Sequence, residues 1–221
     1  MEIIISFTIM PISNPRRKKQ IEEFIDKDHR IMNDFYDLME SNISAKKMVK
    51  ELKEMIEEDP DFYDSYIALA DLYYHNGWNE EGDKLLKKAY ERATMRIADA
   101  KGNWPKAMEW GFLENRHLMR TLERFGVLRW ETKKTEEALD IFRRLLRMNP
   151  GDNQGARHNI LAIRLGLGVE EWQKPFEAKH KGKVVGLDAY KVSEWFEENS
   201  KKFPEDFEWL AKMWKEWDKS D

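Results

Sequence analysis

The sequence predicts an all-α protein built as a stack of antiparallel helix pairs and closed by a C-terminal helical cap. Three observations carry this. Large and small residues recur with a period of about 34 from His29 onward, glycines and prolines fall at the ends of the resulting helical stretches, and residues 188–221 hold two aromatic amphipathic helices.

Residues 1–28 read as an N-terminal arm and a lead-in helix. Ile3 to Ile12 is apolar but too short to span a bilayer. Glu2 stands where a signal peptide carries positive charge, and Arg16, Arg17, Lys18 and Lys19 follow in the wrong order, so an extended arm or short strand on the helical body is expected. The clearest unit is 63–96. Tyr66, Leu69, Ala70 and Tyr73 take its first helix, Gly77 ends that helix, and Gly82, Leu86 and Ala89 take the second. The small side chains at Ala70, Gly82 and Ala89 let two helices approach closely while the large ones fill the gaps between pairs.

One period back lies the unit 29–62, with Met32, Phe35, Tyr36 and Met39 on its first helix, Met48, Leu52 and Met55 on its second and Pro60 at its close. A third unit, 119–152, carries Leu122, Phe125, Gly126, Ala138, Phe142 and Pro150 in the same register. Pro60 and Pro150 are 90 residues apart, two periods and a surplus of 22, which places an insertion at 97–118. Within it Gly102 and Asn103 read as a helix stop and Pro105 as a first-turn residue. Met108, Phe112, Leu118, Leu122 and Phe125 then predict an unusually long helix running into the third unit, with a surface loop and a short helix as the alternative.

A partial unit, 153–174, has Ile160 and Ile163 on an apolar stripe and ends its first helix at Gly166 and Gly168. Pro175 cuts the second helix that starts at Val169. Residues 175–187 read as a linker. Asp188 to Asn199 and Glu205 to Trp217 then carry Val192, Trp195, Phe196, Phe207, Leu210 and Trp214 at helical spacing, as the end cover that a stack of repeats needs.

Composition narrows the function classes. With 36% charged and 12% aromatic residues a packed core is expected, and a net charge of -4 argues against a surface built throughout to neutralise nucleic-acid phosphates. The absence of Cys removes disulfides, thiolate nucleophiles and Cys-ligated zinc, so cytoplasm is the expected compartment. His29, His75, His117, His158 and His180 are never three to five residues apart, and metal-protease, phosphate-loop and dinucleotide signatures are absent. No catalytic residue, cofactor or metal is expected, and the chain does not read as an enzyme.

The residues quoted for 29–174 resemble the tetratricopeptide repeat family, with Gly82 and Leu145 standing where alanines are usual. Asn149 to Gly168 also looks like a segment of repeat proteins related to suppressor of tumorigenicity 7. The family resemblance implies a right-handed superhelical stack whose first helices line a concave groove, and a scaffold that binds protein or peptide. It implies groove positions at Asp34, Asp37, Glu40, Asp64 and Asp71 in the first two units, and at Arg120, Arg124, Gln154, Arg157, His158 and Arg164 in the later ones. The groove is then acidic at one end and basic at the other. Arg124, Arg157 and Arg164 are the first candidates to grip an acidic side chain or a peptide C-terminus, because guanidinium binds carboxylate with two parallel hydrogen bonds. Pairing of these arginines with the chain's own glutamates is the competing reading.

The carboxylate clamp of some family members is not matched, since Asn33, Asp37, Ile67, Asp71, Glu123, Val127, Arg157 and Leu161 occupy its positions. Asp152 is expected to cap the helix that follows it. A nucleic-acid binder using Arg120, Arg124, Arg129, Arg143, Arg144, Arg147, Arg157 and Arg164 is the alternative function. Self-association into a homo-oligomer through the aromatic C-terminal helices or the apolar arm is a third reading.

Overall fold

The computed structural model describes residues 21–219. The apolar arm expected at Ile3 to Ile12 lies outside the described residues. Among the described residues there are ten α-helices, α1 (Met32–Glu40), α2 (Ala45–Glu58), α3 (Asp64–His75), α4 (Asn79–Ile97), α5 (Leu113–Glu131), α6 (Thr135–Met148), α7 (Ala156–Arg164), α8 (Val169–Gln173), α9 (Ala189–Asn199) and α10 (Pro204–Trp217). Each of α1 to α7 packs on the next in sequence, and α3 also touches α5, so successive units stack through their first helices.

Local chemistry sets the ends. Ser44 accepts the Lys47 N–H at 3.4 Å to start α2, and Asp188 accepts the Lys191 N–H at 3.3 Å to start α9. Gly77, with φ of 76°, closes α3 in the left-handed region that costs other residues strain. One core runs unbroken from Tyr63, just before α3, and Tyr66 on α3 through Leu122, Phe125 and Phe142 to Phe207 and Leu210 on α10. A smaller cluster of Ile31, Phe35, Leu52, Phe62 and Leu69 serves the first unit, and Ile56 and Leu85 pack against both.

Three stretches differ from the sequence expectation. No helix lies within 21–28, the described part of the stretch 1–28 that was read as an arm and a lead-in helix. Phe24 instead donates its N–H to the Ala107 carbonyl at 2.9 Å, beside a parallel bridge between Glu23 and Ala107. The long helix begins at Leu113 and not at Pro105. Asp99 gathers the N–H groups of Lys101 and Asn103 at 2.8 and 2.9 Å, Lys106 and Ala107 donate to the carbonyls of Ile21 and Glu22, and Met108, whose N–H would close the first helical turn after Pro105, donates instead to the Met148 carbonyl at 3.0 Å. Trp104 and Met108 are buried at a spacing of four in an irregular segment, which imitates a helical stripe.

The third difference is at 175–187. After a single 3-10 turn at Lys174–Phe176, β1 (Glu177–His180) and β2 (Lys183–Leu187) pair antiparallel, with His180 opposite Lys183 and a bulge after Ala178. Lys181 and Gly182, at φ of 49° and 79°, make the two-residue turn that joins them. Before the hairpin, α8 is one short helix, and Pro175 lies in the 3-10 turn that follows.

Candidate functional site

The first helices of the repeats carry a ladder of polar side chains bonded across the stack. Arg120 of α5 donates Nε to Asp64 Oδ1 of α3 at 2.9 Å, pairs a second nitrogen with Asp64 Oδ2, and also donates to the Tyr36 hydroxyl of α1 at 3.2 Å. One turn further on, Arg124 donates to Asp71 Oδ1 at 2.9 Å and lies 5.5 Å from the centre of the Tyr74 ring. These residues recur because Asp64 and Asp71, like Arg120 and Arg124, stand seven and four residues apart on one helical face. Thus α1, α3 and α5 share a single face held by charge-assisted bonds.

Glu123 extends the ladder toward the fourth unit. Its Oε2 accepts from Gln154 Nε2 at 2.7 Å, and burial pushes its pKa up to about 7 against the pull of that bond and of Arg120 and Arg124. Because the folded pKa lies above the ordinary value of 4.5, the folded state favours the proton. That stability is complete below about pH 4.5 and is lost as pH rises through 7. Glu123→Gln is therefore expected to remove roughly 1 to 2 kcal/mol of pH dependence between pH 4.5 and 7, read as a flatter urea-midpoint profile. An unchanged slope would show that Glu123 is not the titrating group.

The other candidate groove residues are placed elsewhere. Asp34 and Asp37, with Glu40, are exposed on α1 and have no hydrogen-bond or ion-pair partner among the described residues. Arg157 donates Nη1 to the buried Asp152 at 2.7 Å and lies 5.3 Å from the Trp214 ring of α10. Arg164 pairs with Glu205 and, at 3.4 Å, with Asp206 at the start of α10. His158 is enclosed by Trp172 and Phe196, and burial brings its pKa down to about 3, so it is neutral. Arg157, His158 and Arg164 thus face the C-terminal cap, with partners separate from those of Arg124. Asp152 does cap α7, accepting the N–H groups of Ala156 and Arg157 at 2.7 and 3.2 Å.

A second polar cluster was hidden in the sequence. Asp26, His29 and His117 are all buried, and each offers a ligand atom within 4.8 Å of the others, although 88 residues separate the two histidines. The hydrogen bonds account for these atoms. The Tyr63 N–H donates to His117 Nδ1 at 3.1 Å, so the proton of this neutral ring sits on Nε2 and is donated to Asp26 Oδ2 at 3.0 Å. That leaves His117 no free lone pair for a metal ion. His29 donates from Nδ1 to Asp59 at 2.7 Å and from Nε2 to Asp26 at 3.3 Å. Burial alone would lower its pKa, but the two carboxylates outweigh burial and raise it. The cluster is a clasp between the N-terminal segment, the α2–α3 turn and α5. The spacing rule applied to the histidines could not find it, because the fold brings together residues from separate units.

Among the described residues no helix is long and apolar enough to cross a membrane. The family model described as tetratricopeptide repeat matches residues 63–94, which cover α3 and most of α4. No curated protein and no solved structure matches the chain.

Proposed function

We propose that this chain, which carries a tetratricopeptide repeat at 63–94, is a non-catalytic scaffold that holds a peptide segment of another protein along the shared face of α1, α3 and α5. Repeats of this family generally mediate protein–protein interaction. The supporting observation is the cross-helix ladder of Tyr36, Asp64, Arg120, Asp71 and Arg124, which fixes three successive first helices as one rigid surface. A preorganised surface loses less entropy when a ligand docks.

The charges on this face favour a ligand with basic residues at the α1 end. Arg120 and Arg124 already hold carboxylates of the chain, whereas Asp34, Asp37 and Glu40 have no ion-pair partner among the described residues and stand on the helix that carries the exposed Tyr36 and Met39. Affinity capture from the native cell extract tests this reading with the wild type and with Asp34→Lys plus Asp37→Lys. Both positions are exposed, so the fold is expected to be unchanged. Partners of the wild type should be recovered about 10-fold less well by the variant, through like-charge repulsion. Equal recovery would exclude this face.

A further inference from the structure

A separate group of cations gathers on α6, the second helix of the third unit. Arg143, Arg144 and Arg147 line a cavity of about 320 Å³ together with Asn103, Trp104, Pro105 and Met148, and no carboxylate is among these lining residues. Two of the three guanidinium groups lie against aromatic rings. Arg144 lies 5.2 Å from the centre of the Trp104 indole and Arg147 4.0 Å from that of Trp209.

Their hydrogen bonds leave donors over. Arg143 is tied to Asp206 Oδ1 through Nε at 2.6 Å, and Arg144 to Asp140 Oδ2 through Nε at 2.8 Å. Neither has a hydrogen bond from Nη among the described residues, and Arg147 has no carboxylate partner there. Each guanidinium carries five N–H donors in a fixed plane, so most of the donors at this cavity are unspent. A carboxylate has two coplanar oxygens and one charge, which one arginine satisfies. A phosphoryl group has three terminal oxygens and up to two charges, which suits three arginines converging on one cavity.

We propose that this cavity is a binding site for the phosphate monoester of a small organic molecule. The Nη groups of Arg143 and Arg144 and the guanidinium of Arg147 hold the phosphoryl oxygens. Pro105, Trp104 and Met148 form the apolar wall for the organic part. The site is independent of the α1–α3–α5 face, and no bond is made or broken.

The test is a titration of the full chain, followed by NMR at the Trp104 indole N–H and the arginine Nε–H groups, with phenyl phosphate, inorganic phosphate and benzoate. Phenyl phosphate is expected to saturate with a dissociation constant of about 1 mM or tighter, and benzoate to bind at least about 10-fold more weakly. Arg147→Gln should weaken phenyl phosphate about 10-fold, and Asp140→Asn, which frees Arg144, should tighten it. Thermal midpoints measured in parallel confirm that both variants are folded. Unsaturable shifts, equal binding of benzoate, or an Arg147→Gln variant that binds like the wild type would overturn the proposal. Inorganic phosphate binding as tightly as phenyl phosphate would overturn its organic-ester form.

Discussion

Asp26→Ala is expected to cost about 3 to 5 kcal/mol of folding stability, because it leaves buried partners of a charge without it. Asp26 is buried at 6% exposure and is the hub of its cluster. Oδ1 accepts from the Lys27 N–H at 2.8 Å and from Arg96 Nε at 2.6 Å, while Oδ2 accepts from His117 at 3.0 Å and His29 at 3.3 Å. Burial alone would raise its pKa, but the bonds from His117, His29 and Arg96 outweigh burial and hold it well below the ordinary carboxylate range.

The pH dependence has two signs. The lowered pKa values of Asp26 and Asp59 give stability that is present above about pH 4 and lost in acid. The raised pKa of His29 gives stability that is present below about pH 6.5 and lost as pH rises through its folded value. The clasp is therefore strongest between about pH 4 and 6.5, and the difference in urea midpoint between wild type and Asp26→Ala should peak in that window. A difference below about 1 kcal/mol throughout would mean that the cluster does not hold the N-terminal segment to α4 and α5.

The second large effect is in the seam between α5 and α6. Phe142 is fully buried, and a methyl group added at Gly126 would lie 2.9 Å from two of its ring carbons and 3.3 Å from Ile141 Cγ2. The absence of a side chain at 126 is thus what lets the ring reach α5. Phe142→Ala should cost about 3 to 5 kcal/mol through lost burial and the cavity left behind. Gly126→Ala sets about 1 kcal/mol of helix propensity against about 1 to 3 kcal/mol of overpacking, so a net loss is expected. On a Phe142→Leu background the same change should become neutral or favourable, since the ring carbons are gone. A double-mutant cycle of urea midpoints measures this coupling, and a stabilising Gly126→Ala in the wild type would contradict the packing described.

How much of this was legible follows from what each pattern encodes. The pairs α1–α2, α3–α4 and α5–α6 were readable because Leu52, Ala70, Leu86, Ala89, Phe125 and Ala138 bury one helical stripe each, and stripes are local. The irregular 98–112 segment was not, since its hydrogen bonds go to residues 21–24 and to the end of α6, partners that no local period reveals. The hairpin at 177–187 left a usable signal. A Lys-Gly pair flanked by Ala178 and Val184–Val185 fits a two-residue turn between strands. At the candidate site, the repeat register that the family resemblance implies placed Asp64, Asp71, Arg120 and Arg124 on first helices, yet their mutual pairing depends on how far apart α3 and α5 stand. The same register placed Arg157, His158 and Arg164 in the groove, and only the packing of α9 and α10 shows that they turn to the cap.

Whether the face shared by α1, α3 and α5 holds another protein is tested most directly by amide hydrogen exchange of the chain with and without a captured partner. Slowed exchange is expected to concentrate in Met32–Glu40, Asp64–His75 and Leu113–Glu131. Slowing confined to Asn79–Ile97, Thr135–Met148 or Pro204–Trp217 would contradict it.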